Sequence, residues 1–297
     1  MRRRRQEGRL LIALALAAVS GCRCKGETKI GDKRAFACAE VPSKDVHDEI
    51  DLGDGKRLVR DGVRAVLRGV PEDQPALITS FEGGAADVPV PVGVAAVFVV
   101  GLGRLPREPL GKALGAIAAK APLVVALAGP EDEVDLVRGA IADAGKRVVD
   151  GGVVRALSIA NLEIVSVPGS DDPSSIAEHG RGCVVRPEDV RALAGKLGPA
   201  SKDRPRIAVV YAAPSRDPAR PLANDPLTDV GAWLVGGPLD RDGAVELALP
   251  PGAPPPLLPV PRAAAPRTTS TPGVIPAGYL LLRGDGGVVQ LRREVAG

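Results

Sequence analysis

Three acidic residues that follow predicted strands are the side chains with the clearest chemical potential in this chain. Glu82 comes shortly after the apolar residues 76–80, and Glu131 and Asp132 come shortly after the apolar residues 123–128. Carboxylate oxygens are the ligands that hard divalent cations prefer. With no histidine beside them, these three residues predict at most a weak oxygen site for a cation.

Two further sequences look like fragments of functional motifs, but their context predicts loops. Gly101-Leu102-Gly103 follows a predicted strand, as a dinucleotide fingerprint does, but residues 104–106 lack the third glycine and the helix that should follow. His179 and Cys183 are separated by two glycines and an arginine, which indicates a loop rather than a catalytic pair. The cysteines lack a CxxC spacing, so we predict no metal site for them.

Residues 123–145 show which elements would position Glu131 and Asp132. The strand at residues 123–128 ends at Gly129-Pro130, and a helix with a regularly spaced apolar face is predicted from Pro130 to Gly145. In α/β proteins such a turn lies at the carboxyl edge of the sheet, where ligands usually bind. The two carboxylates are therefore predicted at a ligand-binding edge.

Strands alternate with helices from residue 76 onwards and dominate the last third of the chain, which predicts an α/β fold with mixed sheets. The chain divides into a signal peptide at residues 1–21, a tether at residues 22–55 and a domain at residues 56–297, with its core at about residues 76–295. Apolar residues at helical spacing predict a leading helix at residues 58–70. The Pro-rich residues 250–276 predict a surface loop.

The turns after these strands, taken together, resemble the motifs of calcineurin-like metallophosphoesterases over roughly residues 76–295. That family carries Asp-x-His-Gly, Gly-Asp, Gly-Asn-His-Asp/Glu, a lone His and Gly-His-x-His after successive strands. The resemblance implies an α/β/β/α sandwich with mixed sheets. The matching positions here are Ser80, Glu82, Gly83, Gly101, Leu102, Gly129, Glu131, Asp132, Tyr211, Gly236, Gly237 and Leu239.

The glycines of those motifs are present, whereas of the family's metal ligands and catalytic residues only Asp132 is kept. Glu131 stands where the family has its catalytic histidine, and other residue types replace the remaining ligands. The family's two-metal chemistry needs those ligands, so we expect no catalytic residues, no cofactor and a non-catalytic binding or scaffold function. The alternative is a divergent phosphoesterase, a hydrolase that uses divalent metal ions held by a rebuilt carboxylate site.

Residues 1–22 have the composition of a bacterial export signal. Five arginines precede an apolar segment at residues 10–19, which is too short for a comfortable membrane span. Val19-Ser20-Gly21-Cys22 resembles the lipobox, whose cysteine is acylated and becomes the first residue. The alternative is an ordinary signal peptide with a chance cysteine. Acylation of Cys22 would tether the protein to a membrane, so we expect it in the bacterial cell envelope, on the periplasmic or surface side.

The charge of the chain argues against a nucleic-acid partner. The formal net charge is +3, but residues 1–21 contain five arginines and one glutamate, so the remainder carries about −1. No basic patch is left to bind nucleic acid. The expected partners are the membrane surface, through the lipid, and an unidentified protein or small molecule.

Three cysteines remain if Cys22 carries lipid, and an oxidising compartment favours one disulfide among them. Cys24 and Cys38 are close in sequence and would close a short loop, with Cys183 left as a small buried apolar residue. A bridge between Cys38 and Cys183 is the competing pairing. We expect the Cys24–Cys38 bridge.

We predict that the chain is cleaved before Cys22 and that Cys22 is acylated, because the lipobox and the basic leader occur together. Intact-mass analysis of the detergent-extracted protein should show a lipid-modified terminus at Cys22. An unmodified terminus at another residue would contradict this.

Overall fold

The structure is a computed structural model of the 297-residue chain, and it describes residues 27–30, 33–41, 44–81, 88–172, 175–177, 181–212, 227, 229–236, 246–249, 257–261, 278–285 and 288–295. Helices and strands alternate in its central part and strands dominate elsewhere. The helices are α1 (Arg107–Ala118), α2 (Val134–Ala144) and α3 (Pro187–Leu197). The strands are β1 (Glu27–Ile30), β2 (Lys33–Ala37), β3 (His47–Gly53), β4 (Lys56–Asp61), β5 (Arg64–Arg68), β6 (Ala76–Thr79), β7 (Ala96–Val100), β8 (Val124–Leu127), β9 (Val148–Asp150), β10 (Ala156–Ile159), β11 (Leu162–Val167), β12 (Gly182–Val184), β13 (Arg206–Val210), β14 (Val230–Val235), β15 (Glu246–Leu249), β16 (Leu257–Pro259), β17 (Gly278–Asp285) and β18 (Val288–Val295).

The first large sheet has the strand order β15-β18-β17-β6-β7-β8-β9. Strands β6 to β9 are parallel, and α1 and α2 form the crossovers between β7, β8 and β9. Every residue of β7 and β8 is buried, because parallel strands are covered on both faces. Strands β17 and β18 form a hairpin, and β17 pairs with β6 in the antiparallel direction.

The second large sheet has the strand order β16-β14-β13-β11-β10-β5-β4-β3. Strands β11, β13, β14 and β16 are parallel to one another, whereas β3, β4 and β5 form an antiparallel meander. A third, small sheet has the order β1-β2-β12. Each of the three sheets therefore pairs strands that are distant in the sequence, and the two large sheets contain both parallel and antiparallel pairs.

The two large sheets share one apolar core. Its buried members include Ile78, Phe98, Val125, Leu280 and Leu291 of the first sheet and Leu67, Leu157, Ile164, Ile207 and Leu234 of the second. A second cluster joins α1 and α2 to the first sheet, and a third joins α3 to the second sheet. The predicted α/β class with mixed sheets is confirmed. Trp233, on β14, is 3% exposed.

The predicted helix at residues 58–70 is wrong, because this segment is the hairpin formed by β4 and β5. Gly62, in the turn, has φ +61°, a left-handed conformation that glycine adopts without strain. Along β5 the buried residues Ala65 and Leu67 alternate with exposed ones. Because the segment is short, its apolar residues fit both the helical spacing and the alternation of a strand. Pairing with neighbouring strands decides between the two.

The predicted tether at residues 22–55 is also wrong over its described part, since β1, β2 and β3 pair within the sheets. Ala35, Ala37 and Ala39 are almost completely buried. Arg155, fully buried, donates from Nη1 to the carbonyl of Cys38 at 3.2 Å and from Nη2 to the carbonyl of Ala39 at 3.3 Å. Burial lowers the pKa of Arg155 to about 10. Alanines carry little hydrophobic pattern, so the sequence alone gave no sign of this core contact.

The expected Cys24–Cys38 disulfide is replaced by a bridge between Cys38 and Cys183, whose Cα atoms are 5.5 Å apart. Strands β2 and β12 are parallel, and their register sets Cys183 opposite Phe36. Strand pairing therefore brings together two cysteines that lie 145 residues apart. Cys22 and Cys24 lie outside the described residues.

Two other boundaries differ from the prediction. Helix α2 begins at Val134 rather than at Pro130, so Glu131 and Asp132 lie in the preceding turn. Within the predicted Pro-rich loop, Leu257–Pro259 forms β16, which pairs with β14 at the edge of the second sheet. Proline is compatible with that position, since an edge strand leaves one row of N–H groups unused.

We predict that the Cys38–Cys183 bridge stabilises the exported protein. Removing it through Cys38→Ser should lower the free energy of unfolding by about 2–4 kcal/mol, because the bridge closes a long loop in the unfolded chain. Denaturant unfolding measures this, with Cys24→Ser as the control expected to leave stability unchanged. Non-reducing peptide mapping that joins Cys24 to Cys38 would contradict the pairing.

Candidate functional site

The carboxyl ends of strands from both large sheets meet at one edge of the domain. Ser80, after β6, donates its backbone N–H to the carbonyl of Pro261, after β16, at 3.1 Å. Gly236, after β14, lies so close to Val100 at the end of β7 that an added Cβ would overlap it. The turns that carry the motif positions are thus brought together across the two sheets.

Most of the residues singled out from the sequence lie at this edge. The described ones are Ser80, Gly101, Leu102, Gly129, Glu131, Asp132, Tyr211 and Gly236. Glu82, Gly83, Gly237 and Leu239 lie outside the described residues. Eight of the twelve motif positions are therefore described, and they lie in turns at this edge.

Asp132 is the centre of the described part of this edge. Its Oδ2 accepts hydrogen bonds from the backbone N–H of Leu102 at 2.8 Å and of Gly129 at 2.7 Å, and its Oδ1 accepts one from Arg104 at 2.9 Å. The side chain is 4% exposed. Burial raises the pKa of this carboxyl, while the three N–H donors act in the opposite direction. Asp132 therefore joins the turn after β7 to the turn after β8.

Glu131 points to a different partner. Its carboxylate forms an ion pair with the guanidinium of Arg104, and both side chains are at least one-third exposed. Arg104 has φ 55°, the left-handed conformation that is uncommon for residues other than glycine. This conformation lets the backbone of Arg104 contact Asp132 while its side chain pairs with Glu131. Sequence reasoning missed Arg104, and its position directly after Gly101-Leu102-Gly103 was the available signal.

The ring of Tyr211 packs against the backbone of Gly129. A Cβ built on Gly129 would lie 2.8 Å from Cε2 of the tyrosine, closer than real Cβ contacts allow. Tyr211 is 7% exposed, and its backbone N–H donates to the carbonyl of Val167 at 3.4 Å. Gly129 is thus required by the close approach of an aromatic ring from the other sheet.

A further acidic residue joins this edge from β11. Gly169 donates its N–H to the carbonyl of Ala128 at 2.8 Å, which places the turn after β11 beside the turn after β8. Asp171, in that turn, is 9% exposed. The backbone N–H of Asp172 donates to Ser170 Oγ at 3.0 Å.

Within the described residues, no group of three or more His, Cys, Asp or Glu side chains is arranged to hold a metal ion. The described helices also include none long and apolar enough to cross a membrane.

We predict that Asp132→Asn lowers the free energy of unfolding by about 1–3 kcal/mol, because an amide leaves a buried backbone N–H without its acceptor. Asp143→Asn is the matched control: Asp143 pairs with Arg107 at the surface, and its loss should cost less than about 1 kcal/mol.

Since the pKa of Asp132 is raised from 3.8 in the folded state, the stability of wild type relative to Asp132→Asn should fall as pH rises above about 4. Denaturant unfolding across pH measures both effects, and equal losses in the two variants would contradict them.

No protein-family model matches this chain, and no curated protein is significantly similar to it.

Proposed function

We propose that this protein is an envelope lipoprotein whose domain has a metallophosphoesterase-like α/β/β/α sandwich and acts by binding rather than by catalysis. The observation that carries the non-catalytic part is the position of Asp132, the one residue among the family's metal-ligand and catalytic positions that keeps the family's type. Its two oxygens accept three backbone N–H groups. A carboxylate used in this way holds loops together instead of facing a substrate.

The layer order supports the fold part of the proposal. Two mixed sheets share a core, α1 and α2 pack on one of them, and α3 packs on the other. The turns that resemble the family's motifs follow β6, β7, β8, β13 and β14 and meet at one edge. This is the arrangement that the resemblance implies.

The electrostatics of the edge support the absence of a two-metal centre. Two adjacent divalent ions need several anionic or imidazole ligands to offset their mutual repulsion. Here the Glu131 carboxylate is paired with Arg104, a cation that would itself repel metal ions. Asp132 would have to give up three hydrogen bonds in a buried site, each worth about 1 kcal/mol or more.

The position in the envelope is supported by the cysteines. A disulfide between Cys38 and Cys183 is compatible with an oxidising, extracytoplasmic compartment. Together with the lipobox at Cys22, this favours export followed by lipid anchoring.

The test is made on the full-length protein purified from membranes in detergent. We predict less than about one-tenth of an equivalent of Zn, Mn or Fe by elemental analysis, and no turnover of phosphate mono- or diesters with any of these metals added. Asp132→Asn and Asp171→Asn remove the two buried carboxylates in the described part of the edge, and Glu108→Gln is the exposed control.

Near-stoichiometric metal would overturn the non-catalytic function. So would turnover that is lost in Asp132→Asn or Asp171→Asn and kept in Glu108→Gln. Either result would favour the hydrolase with a rebuilt carboxylate site.

A further inference from the structure

A small polar cavity lies at the amino edge of the first large sheet, away from the turns that carry the motif positions. It is lined by the turn between β3 and β4, by the residues that join α1 to β8, and by the residue before β9. Its volume is about 180 Å³, whereas cavities for drug-sized ligands measure about 300–1,000 Å³. The cavity therefore suits a small ion or a single ionic group.

Positively charged side chains dominate the lining of this cavity. Lys56, Lys120 and Arg147 line it, and Asp54 is the one carboxylate among the described residues that do so. Asp54 Oδ2 is 3.7 Å from Arg147 Nη2, and the Asp54 side chain is 78% exposed, so water screens this pair. Neither lysine has an ion-pair partner in the described part of the chain. The lining thus carries an excess of two positive charges.

Arg147 is held in place with part of its guanidinium unused. Its Nε donates to the carbonyl of Leu52 at 2.8 Å, which leaves the N–H groups of both Nη atoms for another acceptor. Gly53 has φ +85°, and a Cβ added there would lie 3.1 Å from Arg147 Nη2. Glycine therefore lets the guanidinium lie close against the turn. The fork of a guanidinium matches the spacing of two phosphate oxygens.

The end of α1 does not account for all three cations. A helix C-terminus carries about half a negative charge, which nearby cations offset. Here the backbone N–H groups of Lys120 and Ala121 already donate to the carbonyl of Ile117, at 2.8 and 3.0 Å. After the helix dipole is offset, an excess of about 1.5 positive charges remains in the lining. A dianion of small size would neutralise that excess.

We propose that this cavity binds the dianion of phosphate, either free or as the phosphate group of a small monoester. Arg147 supplies its Nη donors, and Lys56 and Lys120 supply ammonium groups. The site lies at the other edge of the sheet from Asp132 and does not depend on the function proposed above.

The first test is calorimetric titration of inorganic phosphate into the full-length protein in detergent. It is made at pH 8 and at a constant ionic strength of about 0.15 M, set with chloride, so that general screening does not change. We expect saturable binding of one phosphate, with a dissociation constant below about 10 mM.

The second test places the bound phosphate by lysine acetylation, followed by mass spectrometry. At a phosphate concentration about four times the dissociation constant, Lys56 and Lys120 should react about fivefold more slowly than in chloride, because about four-fifths of the sites are then occupied. Lys112 is the internal control. It is exposed on α1, pairs with Glu108 and lies outside the cavity, so its rate should not change.

The double variant Lys56→Gln/Lys120→Gln removes two of the cations and should raise the dissociation constant at least about tenfold, since one hydrogen bond between charged groups contributes about that factor. Lys112→Gln is the matched control and should bind phosphate as wild type does. Neither lysine of the double variant makes an ion pair in the described chain, and denaturant unfolding checks that both variants keep the stability of wild type.

Titration of glycerol phosphate in parallel separates the two sources of the anion. Tighter binding than that of inorganic phosphate assigns the cavity to monoesters, and weaker binding assigns it to the free ion. The absence of saturable phosphate binding overturns the proposal. So does binding that the double variant retains in full, or protection of Lys112 equal to that of Lys56 and Lys120, because phosphate would then bind elsewhere or without specificity.

Discussion

The apolar layer shared by the two large sheets is the constraint on which the rest of this structure depends. Phe98 and Leu127 from one sheet and Ile164 and Leu234 from the other are at most 1% exposed within it. Only 2% of the chain is aromatic, so branched aliphatic side chains fill this space, each contributing about 1.5–3 kcal/mol on burial. Because helices cover the outer faces of the same strands, these strands must be apolar on both sides.

With both faces of these strands covered, the turns at the carboxyl edge are one place where buried polar groups are found, among them Ser80, Asp132 and Asp171. The strands end together, and their turns have backbone N–H groups that need acceptors. Asp132 supplies two acceptor oxygens to three of them, and Tyr211 covers the backbone of Gly129. In related architectures this edge binds a ligand. Here the side chains of the edge join its turns to one another. Glycine is required at Gly129 by the close approach of Tyr211 and at Gly236 by the close approach of Val100.

The N-terminal segment depends on a second buried polar contact. Arg155 is fully buried, and the carbonyls of Cys38 and Ala39 accept its hydrogen bonds. Separation of the segment would leave a buried cation without these acceptors, which is costly. The disulfide to Cys183 adds a covalent constraint at the same place. The described part of a segment that the sequence predicts to be a tether is therefore part of the fold.

The sequence by itself determined those elements whose signal is local. The strands β6, β7 and β8, most of the helix α2 and the α/β class follow from short apolar segments and helical spacing within a few residues. The position of the turn at Gly129 at a carboxyl edge also followed, because turns after parallel strands lie there. The tertiary structure decided everything that depends on partners distant in the chain. Residues 58–70 became a hairpin because neighbouring strands pair with it, Cys38 joined Cys183 because β2 lies beside β12, and Asp132 bonded to the turn after β7 because two strands end side by side. Local periodicity contains no information on such pairings, which arise only when the sheets assemble.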